Sequence, residues 1–287
     1  MNKHILNVAL AVALSGSALL ANAASYTFTD LGTLGGTQSF ATAINTAGQV
    51  AGYANTANNA AQHATVWNGA TATDLGTLGG TYSGATAIND AGLVAGSAYT
   101  AGDAAFHATV WNGATATDLG TLGGTISYAL AINDAGLVAG YAQTTAGAYH
   151  ATVWNGATAT DLGTLGGTYS GANALNNAGL VAGWSDTTTA GARHATLWNG
   201  ATATDLNSFL DASTVSAGWV LDKATGINDN GWIVGDASNT LLGIQIHAFL
   251  LSVTAVPEAE TWAMMLVGLG LVGWTTLRRR RTALPII

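Results

Sequence analysis

Histidine recurs along the middle of the chain at positions that could support chemistry, because imidazole binds metal ions and transfers protons near neutral pH. Each of these residues is followed by alanine, and the five are His63, His107, His150, His194 and His247. Zinc ligands must converge to within ~2.0–2.1 Å of one ion. Equivalent positions of five repeats are instead spread through a domain. The pattern therefore predicts a structural role, with no metal site and no other cofactor.

Aspartate follows four of these histidines by eleven residues, which suggests a hairpin. The pairs are His63 with Asp74, His107 with Asp118, His150 with Asp161, and His194 with Asp205. If Asn68-Gly69 is a two-residue turn, His63 lies opposite Asp74. A cross-strand pair of opposite charge contributes about 0.2–1 kcal/mol. The same register places Trp67 and its equivalents (Trp111, Trp154 and Trp198) opposite alanine, the large-against-small match of a packed core.

Catalysis requires one local group of residues with distinct roles, and nearly identical repeats do not provide it. The last repeat alone is irregular, since its histidine follows the previous one by 53 residues instead of 43 or 44. The extra residues fall within 207–223, which contain Asp211, Asp222 and Lys223. We interpret them as a loop and predict that the protein is not an enzyme. A hydrolase or lyase is the less favoured alternative, and it would need an acid pair in this repeat.

The repeats, of about 44 residues, predict an all-β fold. Each repeat contains two hairpin patterns, one around Asn68-Gly69 and one around Asn89-Asp90-Ala91-Gly92, whose polar first residue and fourth glycine suit a type I turn. The glycine-rich stretch LGTLGG joins the hairpins. Four short strands per repeat, with no helical periodicity, are typical of β-propeller blades.

The phase of the repeats favours a closed ring. Tyr26–Leu31 matches the second strand of a repeat, whereas His247–Leu251 matches the first strand. We therefore predict a five-bladed, propeller-like ring in which the terminal strands pair, with Asp30 beside His247 and no open sheet edge. A β-solenoid is the alternative, although a solenoid usually carries atypical capping repeats.

The repeats resemble the HAF family of bacterial extracellular repeats. The last copy reads His247-Ala248-Phe249, the others read His-Ala-Thr, and all five carry DLG or DLN and a segment like A-I-N. The resemblance spans residues 26–252. It implies an extracellular or envelope protein and brings no settled biochemical activity.

The charge of the chain limits its partners, and its cysteine content limits how the fold is stabilised. Residues 24–256 contain 13 Asp, no Glu and two basic residues, which gives a net charge of −11. Such a surface repels phosphate backbones, so we predict no nucleic-acid partner. Cysteine is absent, and the domain is large enough to bury a core without disulfides.

The N-terminus has the three parts of a secretory signal peptide over residues 1–23. A short polar start containing Lys3 precedes an apolar run, and Ala21-Asn22-Ala23 fits a signal-peptidase site. We expect export through the Sec machinery and cleavage after Ala23, so that the repeat domain spans residues 24–253.

The C-terminal segment, residues 254–287, reads as a membrane-sorting tail. As a helix, its apolar run 262–277 would extend roughly 24 Å, which is less than the ~30 Å hydrocarbon core. A short transmembrane helix is still feasible, because arginine side chains can snorkel and Trp262 and Trp274 suit the membrane interfaces. The cluster Arg278, Arg279, Arg280 and Arg281 predicts a cytoplasmic C-terminus. Upstream, Val256-Pro257-Glu258 together with the helix and arginines resembles the PEP-CTERM signal, although Ala259 replaces the usual second proline. The resemblance implies processing by an exosortase in bacteria that make exopolysaccharide.

These observations together predict a non-enzymatic exported repeat protein. It would be anchored transiently in the inner membrane, then released to the cell surface or the extracellular matrix of a biofilm, where it associates with polysaccharide. The alternative is a specific glycan-binding module that uses exposed aromatic side chains on inter-blade loops, such as Tyr82, Tyr169 and Trp184.

Overall fold

A computed structural model describes residues 26–239, 241–243 and 245–253 of the chain. The predicted signal peptide and sorting tail lie outside these residues. The chain divides into two compact units, Met1–Asp30 and Leu31–Ile287. In the first unit, the described residues 26–30 form no strand, and the side chains of Tyr26 and Phe28 are exposed.

The second unit is all-β, as predicted, and is built from 19 strands in its described part. They are β1 (Gly35–Ile44), β2 (Gln49–Thr56), β3 (Gln62–Asn68), β4 (Thr71–Asp74), β5 (Gly79–Ile88), β6 (Val94–Thr100), β7 (Phe106–Asn112), β8 (Thr115–Asp118), β9 (Gly123–Ile132), β10 (Val138–Thr144), β11 (Tyr149–Asn155), β12 (Thr158–Asp161), β13 (Gly166–Leu175), β14 (Val181–Thr187), β15 (Arg193–Asn199), β16 (Thr202–Asp205), β17 (Trp219–Ile227), β18 (Ile233–Asn239) and β19 (Gln245–Leu251).

The strands form five antiparallel meanders, which we number 1 to 5 in chain order. Meanders 1 to 4 each contain four strands (β1–β4, β5–β8, β9–β12 and β13–β16), and meander 5 contains β17–β19. Single parallel pairs link meander 1 to 2 and meander 2 to 3. Four strands per repeat were therefore predicted correctly. Each meander begins with the A-I-N-like strand. The LGTLGG stretch therefore connects two consecutive meanders, and not two hairpins of the same meander.

The turn at Asn89-Asp90-Ala91-Gly92 is confirmed, since the amide of Gly92 donates to the carbonyl of Asn89 at 3.0 Å. The turn predicted at Asn68-Gly69 for the other hairpin is wrong, because the two loop residues lie one position later in the chain. Asn68 pairs with Thr71, so the loop residues are Gly69 and Ala70. Only Gly69 of these two has positive φ (+56°), as type II′ turns require at their first loop position.

Consecutive meanders pack face to face around small apolar cores. Between meanders 1 and 2, Trp111 and Val94 pack with Ala51, Ala64 and Leu75, all at most 4% exposed. The equivalent core between meanders 3 and 4 contains Trp198, and Ala203 of β16 lies against it. Alanine on one face allows the sheet to approach a tryptophan on the next.

Asparagine side chains form a hydrogen bond between each meander and the one that follows it. In meander 2, Nδ2 of Asn89 donates to the backbone carbonyl of Asn133 at 2.9 Å, while its Oδ1 accepts from the amide of Leu93. The same inter-meander bond joins Asn45 to Asn89, Asn133 to Asn176, and Asn176 to Asn228. These asparagines therefore close their own turns and link neighbouring sheets.

The expected strand at Tyr26–Leu31 is not formed, and β18 is the strand partner of β19 among the described residues. A short extended segment is stable in water only when it is part of a sheet that packs an apolar face. The extra residues of the last repeat form a 3₁₀ helix at Leu206–Phe209 and the helix α1 (Ala212–Ser216). Throughout the described residues, no helix has the length and hydropathy needed to cross a membrane.

Candidate functional site

A row of aromatic side chains crosses the junction between meanders 2 and 3. Tyr99 of β6 and Phe106 of β7 are directly opposite each other in the ladder, and their ring centroids are 4.8 Å apart. Tyr82 of β5 lies 5.9 Å from Phe106, and Tyr128 of β9 lies 5.3 Å from the same ring on the other side. All four side chains are half-buried. Together, the four rings form one continuous and partly exposed aromatic surface.

These four rings line a groove of about 480 Å³, together with Asp103, Ala104, Ala105, Thr125 and Ile126. The polar residues among those that line the groove are the three tyrosines, Thr125 and Asp103. An apolar surface with a few converging polar groups is the usual composition of a small-molecule or oligomer site. No basic side chain is among the residues that line it.

The carboxylate of Asp103 is held in place by the neighbouring strand. Its two oxygens accept from the backbone amide and the hydroxyl of Thr81, each at 2.8 Å. Asp103 itself has φ of +56°, and the preceding Gly102 also has positive φ. Aspartate is among the residues that tolerate this conformation. The turn after β6 therefore presents one oriented acceptor at the edge of the aromatic groove.

Burial raises the pKa of three tyrosines of the row, Tyr82, Tyr128 and Tyr141, above the ordinary value of 10.0. Neighbouring tyrosines add a smaller effect in the same direction, whereas a side-chain hydrogen bond with Gln62 acts in the opposite direction at Tyr82. The hydroxyls can therefore donate as well as accept hydrogen bonds over the physiological range.

The aromatic row extends across meander 3. Tyr141 of β10 lies 4.9 Å from Tyr128, and Tyr149 of β11 lies 5.7 Å from Tyr141. On meander 4, the guanidinium of Arg193 lies 3.7 Å from the ring centroid of Trp184. The extended surface matches a polymer better than a single small ligand.

The three aromatic residues predicted for glycan binding lie on strands, not on inter-blade loops as expected. Tyr82 belongs to β5, Tyr169 to β13 and Trp184 to β14. Tyr82 contributes to the groove, Tyr169 is 43% exposed, and Arg193 covers Trp184. The structure thus brings Tyr82 together with aromatic residues that sequence reasoning had not singled out.

Tyr99, Phe106 and Tyr128 could have been found from a difference between repeats. The residue before each histidine changes from Gln62 to Phe106, Tyr149, Arg193 and Ile246, while the following residues are nearly constant. The positions of Tyr99 and Tyr128 vary in the same way, with Asn55, Gln143 and Asp186 equivalent to the first, and Phe40, Gly84 and Gly171 equivalent to the second. Positions that vary within an otherwise uniform repeat are candidates for binding. Their mutual contact, however, depends on strand pairing that the sequence does not reveal.

The histidines and aspartates of four repeats come together. Nδ1 lies 2.9 Å from a carboxylate oxygen in His63–Asp74 and His107–Asp118, 2.8 Å in His150–Asp161, and 2.6 Å in His194–Asp205. The contact is diagonal, because Asp118 is paired with Thr109 and not with His107. Asp118 also accepts from the amide of Gly120 at 2.8 Å. Each of these aspartates thus bonds both to a histidine and to the backbone of the segment that leads to the next meander.

His247 belongs to β19, where it is paired with Ala237 and its ring lies 4.8 Å from that of Trp219. Its predicted contact with Asp30 stays a prediction.

The acidic residues of the last repeat occupy separate local structures. Asp211 caps α1, and hydrogen bonds from Ser213 and Thr214 lower its pKa to about 2. Asp222 lies on β17 and accepts from the hydroxyl of Ser238 at 3.0 Å, while burial raises its pKa. Lys223 forms an ion pair with Asp236 at 3.3 Å. In the described part of the chain, no three histidine or acidic residues are grouped so as to hold a metal ion.

The remaining predicted positions, Ala21 and Ala23 of the signal peptide, Val256, Pro257 and Glu258 of the sorting motif, and Arg278–Arg281, lie outside the described residues. Residues 255–281 match the PEP-CTERM protein-sorting motif. A tail of this kind marks an exported protein that is anchored transiently in a membrane and processed by an exosortase. No curated protein matches the chain.

Proposed function

We propose that the chain is a non-enzymatic exported protein of the cell envelope or exopolysaccharide matrix, and that it binds polysaccharide along the aromatic groove of meanders 2 and 3. The observation that carries this proposal is the continuous row from Tyr82 to Tyr149, bordered by an oriented carboxylate at Asp103. Tyrosine combines a flat apolar face with a hydroxyl, which suits the alternating apolar and polar surfaces of a sugar ring.

The charge of the domain favours a neutral polysaccharide as ligand. Residues 24–256 carry a net charge of −11, and the groove is lined by one carboxylate and no basic side chain. A polymer of uronic acids or phosphorylated sugars would be repelled by this field. The hydroxyl groups of a neutral sugar can donate to Asp103 and exchange hydrogen bonds with the tyrosines.

The propeller-like ring is the architecture that we propose for residues 31–253. One cavity of about 370 Å³ is lined by the turns of all five meanders. Its lining residues include Asn45, Asn89, Asn133, Asn176 and Asn228. Equivalent turns that share one cavity support an arrangement around a common axis, whereas turns of a straight solenoid would follow one another in a line. The resemblance to HAF repeats is part of the same proposal.

Export through the Sec machinery, a cytoplasmic C-terminus at Arg278–Arg281 and later release to the cell surface complete the proposed route. The match of residues 255–281 to a sorting motif supports exosortase as the processing partner. Biofilm matrix is the location that such processing would give a polysaccharide-binding protein.

Binding to neutral polysaccharides immobilised on an array tests the function. The purified exported protein should bind, and Tyr99→Ala with Phe106→Ala should lose about tenfold in affinity, because the central rings of the row are removed. Phe209→Ala is the matched control, since Phe209 is 63% exposed and lies outside the groove. Equal binding by the double variant and the control would contradict the proposed site.

The absence of catalysis is tested separately on the same glycans. No turnover is expected from the wild-type protein. Detection of a hydrolase or lyase activity that Asp211→Ala or Asp222→Ala alone abolishes, in a protein that remains folded, would overturn the non-enzymatic proposal.

A further inference from the structure

The positions that vary between repeats occupy equivalent places in meanders 1 to 4, which we call the variable band. One cross-strand pair of the band is Phe40 with Tyr53 in meander 1, Tyr128 with Tyr141 in meander 3, and Gly171 with Trp184 in meander 4. A second pair lies two residues further along the strand, as Tyr99 and Phe106 do in meander 2. Side chains two residues apart point to the same face of a strand. Both pairs therefore lie on one face of each sheet.

The band continues from the aromatic groove into meander 1. The ring centroids of Phe40 and Tyr53 are 5.1 Å apart. Tyr53 and the groove residue Tyr82 meet beside Gly84, which is the residue of meander 2 equivalent to Phe40. A β-carbon on Gly84 would lie 3.7 Å from Cδ1 of Tyr53 and 3.5 Å from the hydroxyl oxygen of Tyr82. The aromatic surface of meander 1 therefore adjoins the groove at this glycine.

On meander 4, the band consists of a stacked tryptophan and arginine. Trp184 lies over Gly171, where a β-carbon would approach its Nε1 to 2.9 Å. The guanidinium of Arg193 lies 3.7 Å from the ring centroid of Trp184, and its Nε lies 3.6 Å from the carboxylate of Asp186, its cross-strand partner. The Arg193 side chain is 49% exposed. A guanidinium and a carboxylate are thus held side by side at the surface.

The charges at this end of the band suit an uncharged polymer. Arg193 and Lys223 are the two basic residues of segment 24–256, and Lys223 stands at the equivalent place in meander 5. Each has an aspartate as its cross-strand partner, and Nζ of Lys223 lies 3.3 Å from the carboxylate of Asp236. A guanidinium donates hydrogen bonds and a carboxylate accepts them, so the Arg193–Asp186 pair can bond two neighbouring sugar hydroxyls. Because the aspartate offsets the cation, the pair offers no net positive charge to an acidic sugar.

We propose that the ligand is a linear neutral polysaccharide that lies along the variable band from meander 1 to meander 4. Tyr99 and Phe106 form the central contact, and Tyr53 and Arg193 belong to outer subsites. This inference rests on the proposed function and names the form of the ligand, which is an internal stretch of a long chain. Each outer subsite binds a part of a chain that is already held at the centre, so its contribution adds to the affinity of long chains alone.

The dependence of affinity on chain length tests this proposal. The probes are the neutral polysaccharide that the wild-type protein binds most tightly on the array and its oligosaccharides from disaccharide to octasaccharide. Calorimetric titration should show an affinity about tenfold higher for the octasaccharide than for the tetrasaccharide. Equal affinities would overturn this inference and leave the proposed function intact, whereas a wild-type protein that binds no polysaccharide would contradict both.

Substitutions at the two ends of the band locate the outer subsites. Tyr53→Ala and Arg193→Ala should each lower the affinity for the octasaccharide about fivefold and leave the affinity for the tetrasaccharide unchanged. Retained binding of the tetrasaccharide also shows that each variant is folded. Asn199→Ala is the matched control, since Asn199 is an exposed residue of the same strand as Arg193 and lies outside the band. Binding of the octasaccharide by either variant as tightly as by the control would contradict the path along the band.

Discussion

Nδ2 of Asn89 donates to the backbone carbonyl of Asn133 at a distance of 2.9 Å, across the junction of two meanders. Asn89 is 4% exposed, and its Oδ1 is occupied by the amide of Leu93. One side chain therefore satisfies two backbone groups, through a buried bond to Asn133 and a partly buried bond to Leu93.

Replacement of this asparagine should destabilise the domain. Asn89→Ala leaves the carbonyl of Asn133 and the amide of Leu93 without this partner, and we expect the free energy of unfolding to fall by about 1–3 kcal/mol. Urea denaturation monitored by tryptophan fluorescence measures the change. Asn112→Ala, at an exposed hairpin position, should change the stability by less than about 0.5 kcal/mol. A similar effect of both substitutions would refute the role of the inter-meander bond.

The contact between His107 and Asp118 should show a small favourable coupling. A double-mutant cycle with His107→Ala and Asp118→Asn is expected to give about 0.2–1 kcal/mol, because both side chains are partly exposed. Asparagine retains an acceptor for the amide of Gly120, so the cycle isolates the pair. Urea unfolding of the four proteins provides the measurement, and additive single effects would exclude a stabilising pair.

Asp222 should make the stability of the domain depend on pH in an unusual direction. Burial raises its pKa above the ordinary value of 3.8, so its contribution is complete below pH 3.8 and is lost as the pH rises through the raised folded pKa. At pH 7, Asp222→Asn should stabilise the protein by less than about 1 kcal/mol, since water screens this half-buried group. The hydroxyl of Ser238 retains an acceptor in the variant.

Thermal unfolding of both proteins between pH 3 and 7 measures this difference, which should disappear at the acidic end. Asp211 supplies the contrast, because its pKa is lowered to about 2. Its contribution is present above pH 3.8 and is lost as the pH falls towards 2. A wild-type protein that is more stable than Asp222→Asn at pH 7 would show that the hydrogen bond outweighs burial.

Processing of the tail should remove both the apolar run and the arginines. Mass spectrometry of the protein released from cells is expected to find an N-terminus near Ala24 and no peptide from residues 262–281, since release requires loss of the anchor. Glu258→Ala in the sorting motif should retain the protein in the membrane fraction. Released protein with an intact C-terminus would contradict release by cleavage.

The repeat period, the all-β class and the type I turn could be predicted because they depend on local spacing, as in Asn89-Asp90-Ala91-Gly92. The hairpin register could not, because Asn68-Gly69 and Gly69-Ala70 both provide a glycine with positive φ and differ only in how the strands pair. The aromatic groove was missed for a related reason. Tyr99 and Phe106 become neighbours through the ladder of β6 and β7, and Tyr128 joins them from another meander.

The hydrogen bonds that Asn45, Asn89, Asn133 and Asn176 donate to a neighbouring meander all run in one direction. Each of these side chains donates to the meander that comes later in the chain. The acceptor of Asn45 thus lies on meander 2, and the acceptor of Asn176 lies on meander 5. In a chain that crosses a membrane with its N-terminus first, each of these asparagines can therefore form its inter-meander bond only after the next meander has emerged. Asn176, whose acceptor lies on meander 5, would then be the last of the four asparagines to form its bond.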